Sequence, residues 1–148
     1  MTMIYQNTAP FGALVLRLSL GTMFLVHSLY LKLVVFTLPG TVKFFESLGL
    51  PPYATHLTLG VEAVGGLMLL AGYKTRYAAA ALVPVLAGAT WAHWSNGWLF
   101  TNAGGGWEYP LFLAAATVVQ ALVGDGAYAL GARVVPREAG TWAVATRS

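Results

Sequence analysis

Four long apolar segments constrain the fold of this chain more than any other feature of its sequence. A helix of about 20 apolar residues crosses the hydrocarbon core of a bilayer. Charged residues make up only 9% of the chain, against about 25% in soluble proteins, so they are too few to cover a water-soluble surface. The predicted spans are residues 11–36, 53–71, 77–94 and 107–123. The sequence therefore predicts an all-α protein, a four-transmembrane-helix bundle.

One shorter piece lies between the first two spans. Residues 41–50 place apolar side chains at helical spacing beside Lys43 and Glu46, but they are too few to cross a bilayer. They predict a short helix lying in the membrane interface, and Pro39 and Gly40 before it are expected to end the first span. Residues 1–130 form one membrane domain, and residues 131–148, which lack periodicity, are predicted to be a mobile cytoplasmic tail.

The basic residues predict the orientation of the spans. An even number of spans places both termini on one side of the membrane. The basic residues of that side are Lys74, Arg76, Arg133, Arg137 and Arg147, with Arg17 close by. Trp91, Trp94, Trp98 and Trp107 gather near the opposite boundary, as an aromatic belt does. The positive-inside rule predicts cytoplasmic termini. No basic stripe is present, so the net charge of +3 does not indicate nucleic-acid binding.

Glu62 is the most informative polar residue, because it interrupts an otherwise apolar span. A charged side chain at mid-bilayer costs about 2.5–3.5 kcal/mol, so it usually faces a partner or a cavity. Counting about nine residues from the outer end of each span, at 1.5 Å per residue, places His27 and Glu62 roughly 13 Å deep. They are expected to meet if their helices are neighbours. Arg17 lies near the cytoplasmic end, within snorkelling range of water.

Two interpretations of these residues remain open. In one, the polar side chains form a clasp between packed helices, where interhelical hydrogen bonds are common. In the other, His27 and Glu62, with Lys32 or Arg17, line a cavity for a small polar or quinone-like ligand. The sequence does not distinguish the two.

His93 and Glu108 both lie close to the outer surface. They are either boundary residues wetted by water or a rim that handles protons or binds a metal. The chain has no cysteine, and its three histidines lack ligand spacing, so no metal site is predicted. Catalytic and nucleotide-binding fingerprints are absent from the sequence, and whether the chain is an enzyme stays open.

An ordered set of short motifs resembles the DoxX family of small four-helix membrane proteins. The matching pieces are Leu16-Arg17-Leu18, Gly21, the His27 and Lys32 pair, residues 44–51, residues 62–66, residues 72–76, residues 105–110 and residues 124–126. The resemblance covers residues 11–130 and implies a helix bundle in a bacterial-type inner membrane. It implies that Arg17, His27, Lys32, Glu62 and Glu108 are the recurrent polar positions. Ser28 is a departure, since relatives often have glycine there.

The resemblance implies a function only loosely. Some DoxX relatives are subunits of a thiosulfate:quinone oxidoreductase, and others associate with redox-defence enzymes. The first hypothesis is therefore a redox-associated membrane subunit that binds a quinone or similar amphiphile between its helices, with electrons supplied by a partner. A non-enzymatic scaffold or assembly subunit is the second, and a small-solute transporter acting as an oligomer is the third. We expect the chain to lie in a lipid bilayer and to bind a protein partner or further copies of itself.

Overall fold

The computed structural model describes residues 8–131, and within that range the chain is helical and contains no strand. The elements are α1 (Ala9–Leu25), its π-helical continuation (Val26–Val35), α2 (Leu38–Ser47), α3 (Pro52–Ala71), α4 (Thr75–Ala92), a 3-10 turn (Trp94–Asn96) and α5 (Glu108–Val123). The all-α class is confirmed. Apart from Gly131, the predicted tail lies outside the described residues.

The first helix changes its hydrogen bonding along its length. From Val26 it continues as a π-helix, in which each N–H reaches five residues back, and the Phe36 N–H donates to the Leu31 carbonyl at 2.8 Å. π-helices occur mostly as single-turn bulges, often at functional sites, whereas this one runs for 10 residues. The side chains beyond Val26 therefore follow a different angular spacing from that of an α-helical span.

α2 begins earlier than the sequence predicts. Thr37 has a φ of 61° and turns the chain, and its hydroxyl accepts a hydrogen bond from the Gly40 N–H at 3.3 Å. Pro39 then occupies the first turn of α2, where the N–H that proline lacks has no helical partner. Pro39 and Gly40, expected to end the first span, thus lie inside the next helix.

Two helices among the described residues are long and apolar enough to cross a membrane. They are Ala9–Val35, with 27 residues, and Pro52–Ala71, with 20. Only 28% of the apolar window of each is buried, whereas the core helix of a soluble protein would be mostly buried. α5 is apolar too, but shorter at 16 residues. The exposed apolar faces fit a lipid environment.

Close backbone approach joins α1 to α3. A Cβ atom added at Gly21 would lie 2.9 Å from the Gly66 carbonyl oxygen, and one at Gly65 would lie 2.9 Å from the Leu82 side chain on α4. α4 packs in turn against α5. The buried apolar core consists of Leu20, Phe24, Leu69, Ala78, Ala79, Leu82, Leu86 and Leu113. Small residues on α3 therefore place its polar residue Glu62, one turn away, in the helix interface.

Candidate functional site

An ion pair between Lys32 and Glu62 connects the π-helical segment to α3. Lys32 Nζ donates directly to Glu62 Oε2, and the two side chains are only 17% and 8% exposed. Each charge neutralises the other in a region where an unpaired charge would be costly. The pair is the one salt bridge found within residues 8–131. It is therefore the strongest candidate for a functional group inside the bundle.

Thr41 of α2 fixes the backbone that carries Lys32. Its buried hydroxyl is placed to donate to the carbonyl oxygens of Lys32 and Thr37, both at 3.0 Å. The Lys32 carbonyl lies at the end of the π-helix, where the last carbonyl groups of a helix have no intrahelical donor. The hydroxyl thus ties α2 to the lysine side of the pair.

His27 faces α5 and not Glu62. Its Nδ1 atom lies 2.8 Å from the Met23 carbonyl oxygen, and since a carbonyl only accepts, Nδ1 carries the hydrogen. The imidazole stacks on the Tyr109 ring, with centroids 6.1 Å apart and planes inclined by 22°. The Tyr109 hydroxyl is 3.7 Å from the Met23 sulfur. Within the described part of the chain, no hydrogen bond or ion pair joins His27 to Glu62.

Arg17 is buried at the opposite end of the bundle, with 1% of its surface exposed. Its Nη2 donates to the carbonyl oxygens of Ala127 and Tyr128 at 3.3 and 3.4 Å, and its Nε and Nη1 atoms have no hydrogen-bond partner. Arg17 is near enough to the helix end to snorkel to water, but it is buried instead, because the segment after α5 folds over it. The structure therefore separates Arg17 from the Lys32–Glu62 pair.

The covering segment, residues 124–131, is attached to three helices. The Ala127 N–H donates to the Pro10 carbonyl at 2.9 Å, and the Leu130 N–H donates to the Ala71 carbonyl at 3.1 Å. The Asp125 carboxylate accepts from the Thr75 N–H at 3.1 Å, which caps the start of α4. Segment 124–131 closes this end of the bundle around a buried guanidinium.

His93 and Glu108 organise the loop between α4 and α5. His93 Nδ1 lies 3.0 Å from the Gly104 carbonyl oxygen, and Glu108 Oε1 accepts from the Phe100 N–H at 2.9 Å. The two side chains bind loop backbone and not each other. No cluster of three or more potential metal ligands occurs among residues 8–131. Both residues therefore contact the loop backbone, which their predicted depth in the membrane does not reveal.

Tryptophan rings pack together at the same end of the molecule. Trp94 and Trp107 stack with centroids 4.6 Å apart, and Trp98 meets Trp107 edge-on at 4.5 Å. We refer to this end as the Trp end. Beside it, an open groove of about 520 Å³ runs along the first turns of α5, with mainly aromatic walls that include Tyr109. Tyr109 thus contacts His27 and also lines the groove.

These features fit a helical membrane protein with a buried ion pair between its first and second long helices. A sequence model of the DoxX family matches residues 12–94, the region that contains both members of the pair. The chain belongs to the DoxX family.

The chain also matches one named relative. The chain is 33% identical over 78 residues to a Bacillus subtilis (strain 168) protein named "Putative oxidoreductase CatD". The alignment covers 53% of this chain and 56% of CatD, so the chain spans a little over half the length of that relative. No solved structure matches the chain.

Proposed function

We propose that this chain is a four-span inner-membrane subunit of a redox system, with both termini in the cytoplasm. In this proposal α4 and α5 cross the bilayer beside the two longer helices. Lys74 and Arg76 then lie on the cytoplasmic side, and the Trp end lies at the outer boundary, in line with the positive-inside rule. A partner oxidoreductase supplies the electrons.

The Lys32–Glu62 pair is the observation that carries the redox proposal. We propose that it binds the head of a quinone-type amphiphile between the π-helical segment and α3. A lysine ammonium has three N–H donors, and Glu62 is the partner found for Lys32. The remaining donors are able to bind a quinone carbonyl oxygen, and the 17% exposure of the lysine side chain leaves a route to it.

The pair also suits proton handling. Reducing a quinone to a quinol takes two electrons from the reduced partner and two protons from solvent. Lys32 hydrogen-bonded to the quinone oxygen would pass protons to it, and the Glu62 carboxylate would stabilise the ammonium form before each transfer. The name of CatD supports a role in an oxidoreductase system. We propose that role for this chain, but not the full activity of CatD.

A charge exchange tests the proposal sharply. The double variant Lys32→Glu with Glu62→Lys keeps an ion pair but moves the ammonium to α3. We expect it to fold and to lose binding of a short-chain naphthoquinone, measured by native mass spectrometry in mild detergent. The matched control exchanges Lys43→Glu with Glu46→Lys, two exposed residues of α2, and should bind normally. Equal quinone binding by all three proteins contradicts the proposal.

A scaffold function is the second candidate, and one observation favours it. Lys32 and Glu62 are already paired with each other, as members of a structural clasp would be. If wild-type protein binds no quinone and the charge exchange restores the stability that single neutral variants lose, the pair is a clasp. Co-purification of a protein partner with both forms would then define an assembly subunit.

A further inference from the structure

The groove at the Trp end combines aromatic walls with one carboxylate. It begins at Glu108 and follows α5 to Ala115, about two turns of helix. Phe112 forms part of its wall and projects largely into the surroundings. Among the groove residues that the structure describes, Glu108 is the only charged side chain.

The negative charge of Glu108 is not neutralised within residues 8–131. Its Oε1 atom accepts from the Phe100 N–H at 2.9 Å, and no ion pair involves it. A carboxylate has about four lone-pair sites on its two oxygens. The second oxygen is thus able to accept hydrogen bonds from a cationic ligand in the groove.

The surrounding rings favour the same kind of ligand. Trp98, Phe100 and Tyr109 line the groove near the carboxylate, and aromatic faces attract ammonium groups. In the orientation proposed above, on which this step rests, the Trp cluster lies at the membrane boundary, where phospholipid headgroups lie. The apolar stretch from Leu111 to Ala115 continues away from that boundary and suits an acyl chain.

We propose that this groove binds a phospholipid with a primary ammonium headgroup, of the phosphatidylethanolamine type. The ammonium N–H groups donate to Glu108 and lie against the aromatic rings, and one acyl chain packs along α5 beside Phe112. A primary ammonium fits better than a choline headgroup, because choline has no N–H to donate. The site is separate from the Lys32–Glu62 pair and does not depend on quinone binding.

Lipid competition in nanodiscs tests this site. Full-length protein is placed in equal parts of phosphatidylethanolamine, phosphatidylcholine and phosphatidylglycerol with identical acyl chains, and the retained lipids are counted by native mass spectrometry. We expect about tenfold enrichment of phosphatidylethanolamine over phosphatidylcholine, as a charge-assisted hydrogen bond would give. Equal retention of the two, or a preference for phosphatidylglycerol, overturns the proposal.

Two variants locate the binding. Glu108→Gln keeps an oxygen that accepts from Phe100 but removes the charge, and it should abolish the enrichment. Glu46→Gln, the same change on exposed α2, should leave it intact. Phe112→Ala should weaken retention of all three lipids, since it shortens the wall without altering charge. If Phe112→Ala changes nothing, or if Glu46→Gln acts like Glu108→Gln, the groove is not the binding site.

Discussion

Gly72 lies directly against the guanidinium of Arg17, with no room for another carbon atom between them. A Cβ at this glycine would overlap Arg17 Nη1 and would lie 2.6 Å from the Cα of Ala129. Gly72 also ends α3 in the left-handed region, with a φ of 66°, where glycine is favoured at helix ends. Two independent constraints therefore require glycine here.

Gly72→Ala is expected to lower the free energy of unfolding by about 3 kcal/mol. The loss combines left-handed strain with overpacking against a buried side chain. Thermal unfolding in mild detergent measures it. Gly60→Ala, also in α3, is the control, because the added Cβ would meet no atom within 4 Å beyond the adjoining backbone of its own helix, and it should be neutral or slightly stabilising. Equal losses in both variants would contradict the close packing at Gly72.

Neutralising one member of the Lys32–Glu62 pair should cost more stability than neutralising both. Glu62→Gln or Lys32→Met alone leaves the other charge buried without its partner, at a cost of about 3 kcal/mol. The double variant removes both charges and should be more stable than either single variant. A double-mutant cycle of thermal unfolding measures this coupling. Simple additivity of the two single losses would show that the side chains are not paired in the membrane.

Removing the Thr41 hydroxyl should loosen the end of the π-helix. Thr41→Val keeps the shape of the side chain but leaves the Lys32 carbonyl without this donor, for a loss of about 1–2 kcal/mol. Thr41→Ser retains the hydroxyl and serves as the control. Amide hydrogen exchange across residues 32–41 checks the prediction. Equal protection in the valine and serine variants would mean that the hydroxyl does not hold this junction.

The orientation proposed for the bundle can be tested in intact cells. The chain has no cysteine, so a single introduced thiol reports its own side of the membrane. Lys43→Cys should react with a membrane-impermeant maleimide from outside, and Lys74→Cys only after permeabilisation. The unmodified protein controls for background labelling. The reverse pattern would place the termini outside.

The sequence predicts the positions of the long helices better than it predicts the partners of the buried polar residues. Apolar run length is enough to bound the four long helices closely, but not the short α2, and the small residues beside Glu62 indicate that its face is packed. The partner of Glu62 is harder to predict, because equal depth in two α-helices points to His27. The actual partner, Lys32, lies on a π-helical segment whose wider turn has no clear sequence signal. Arg17 is covered by backbone carbonyls of segment 124–131, which any sequence could supply.

The π-helical segment also affects how the first helix matches the thickness of its membrane. A helix with more residues per turn rises less per residue, so Val26–Val35 is shorter than the same residues would be in an α-helix. The apolar helix Ala9–Val35 has 27 residues, more than the 20 or so that a bilayer requires. The contraction of its C-terminal part would reduce the hydrophobic mismatch with a bilayer, and so the tilt needed to accommodate the helix. A conversion of this segment to α-helix would lengthen the span and, with it, move Lys32 relative to the bilayer.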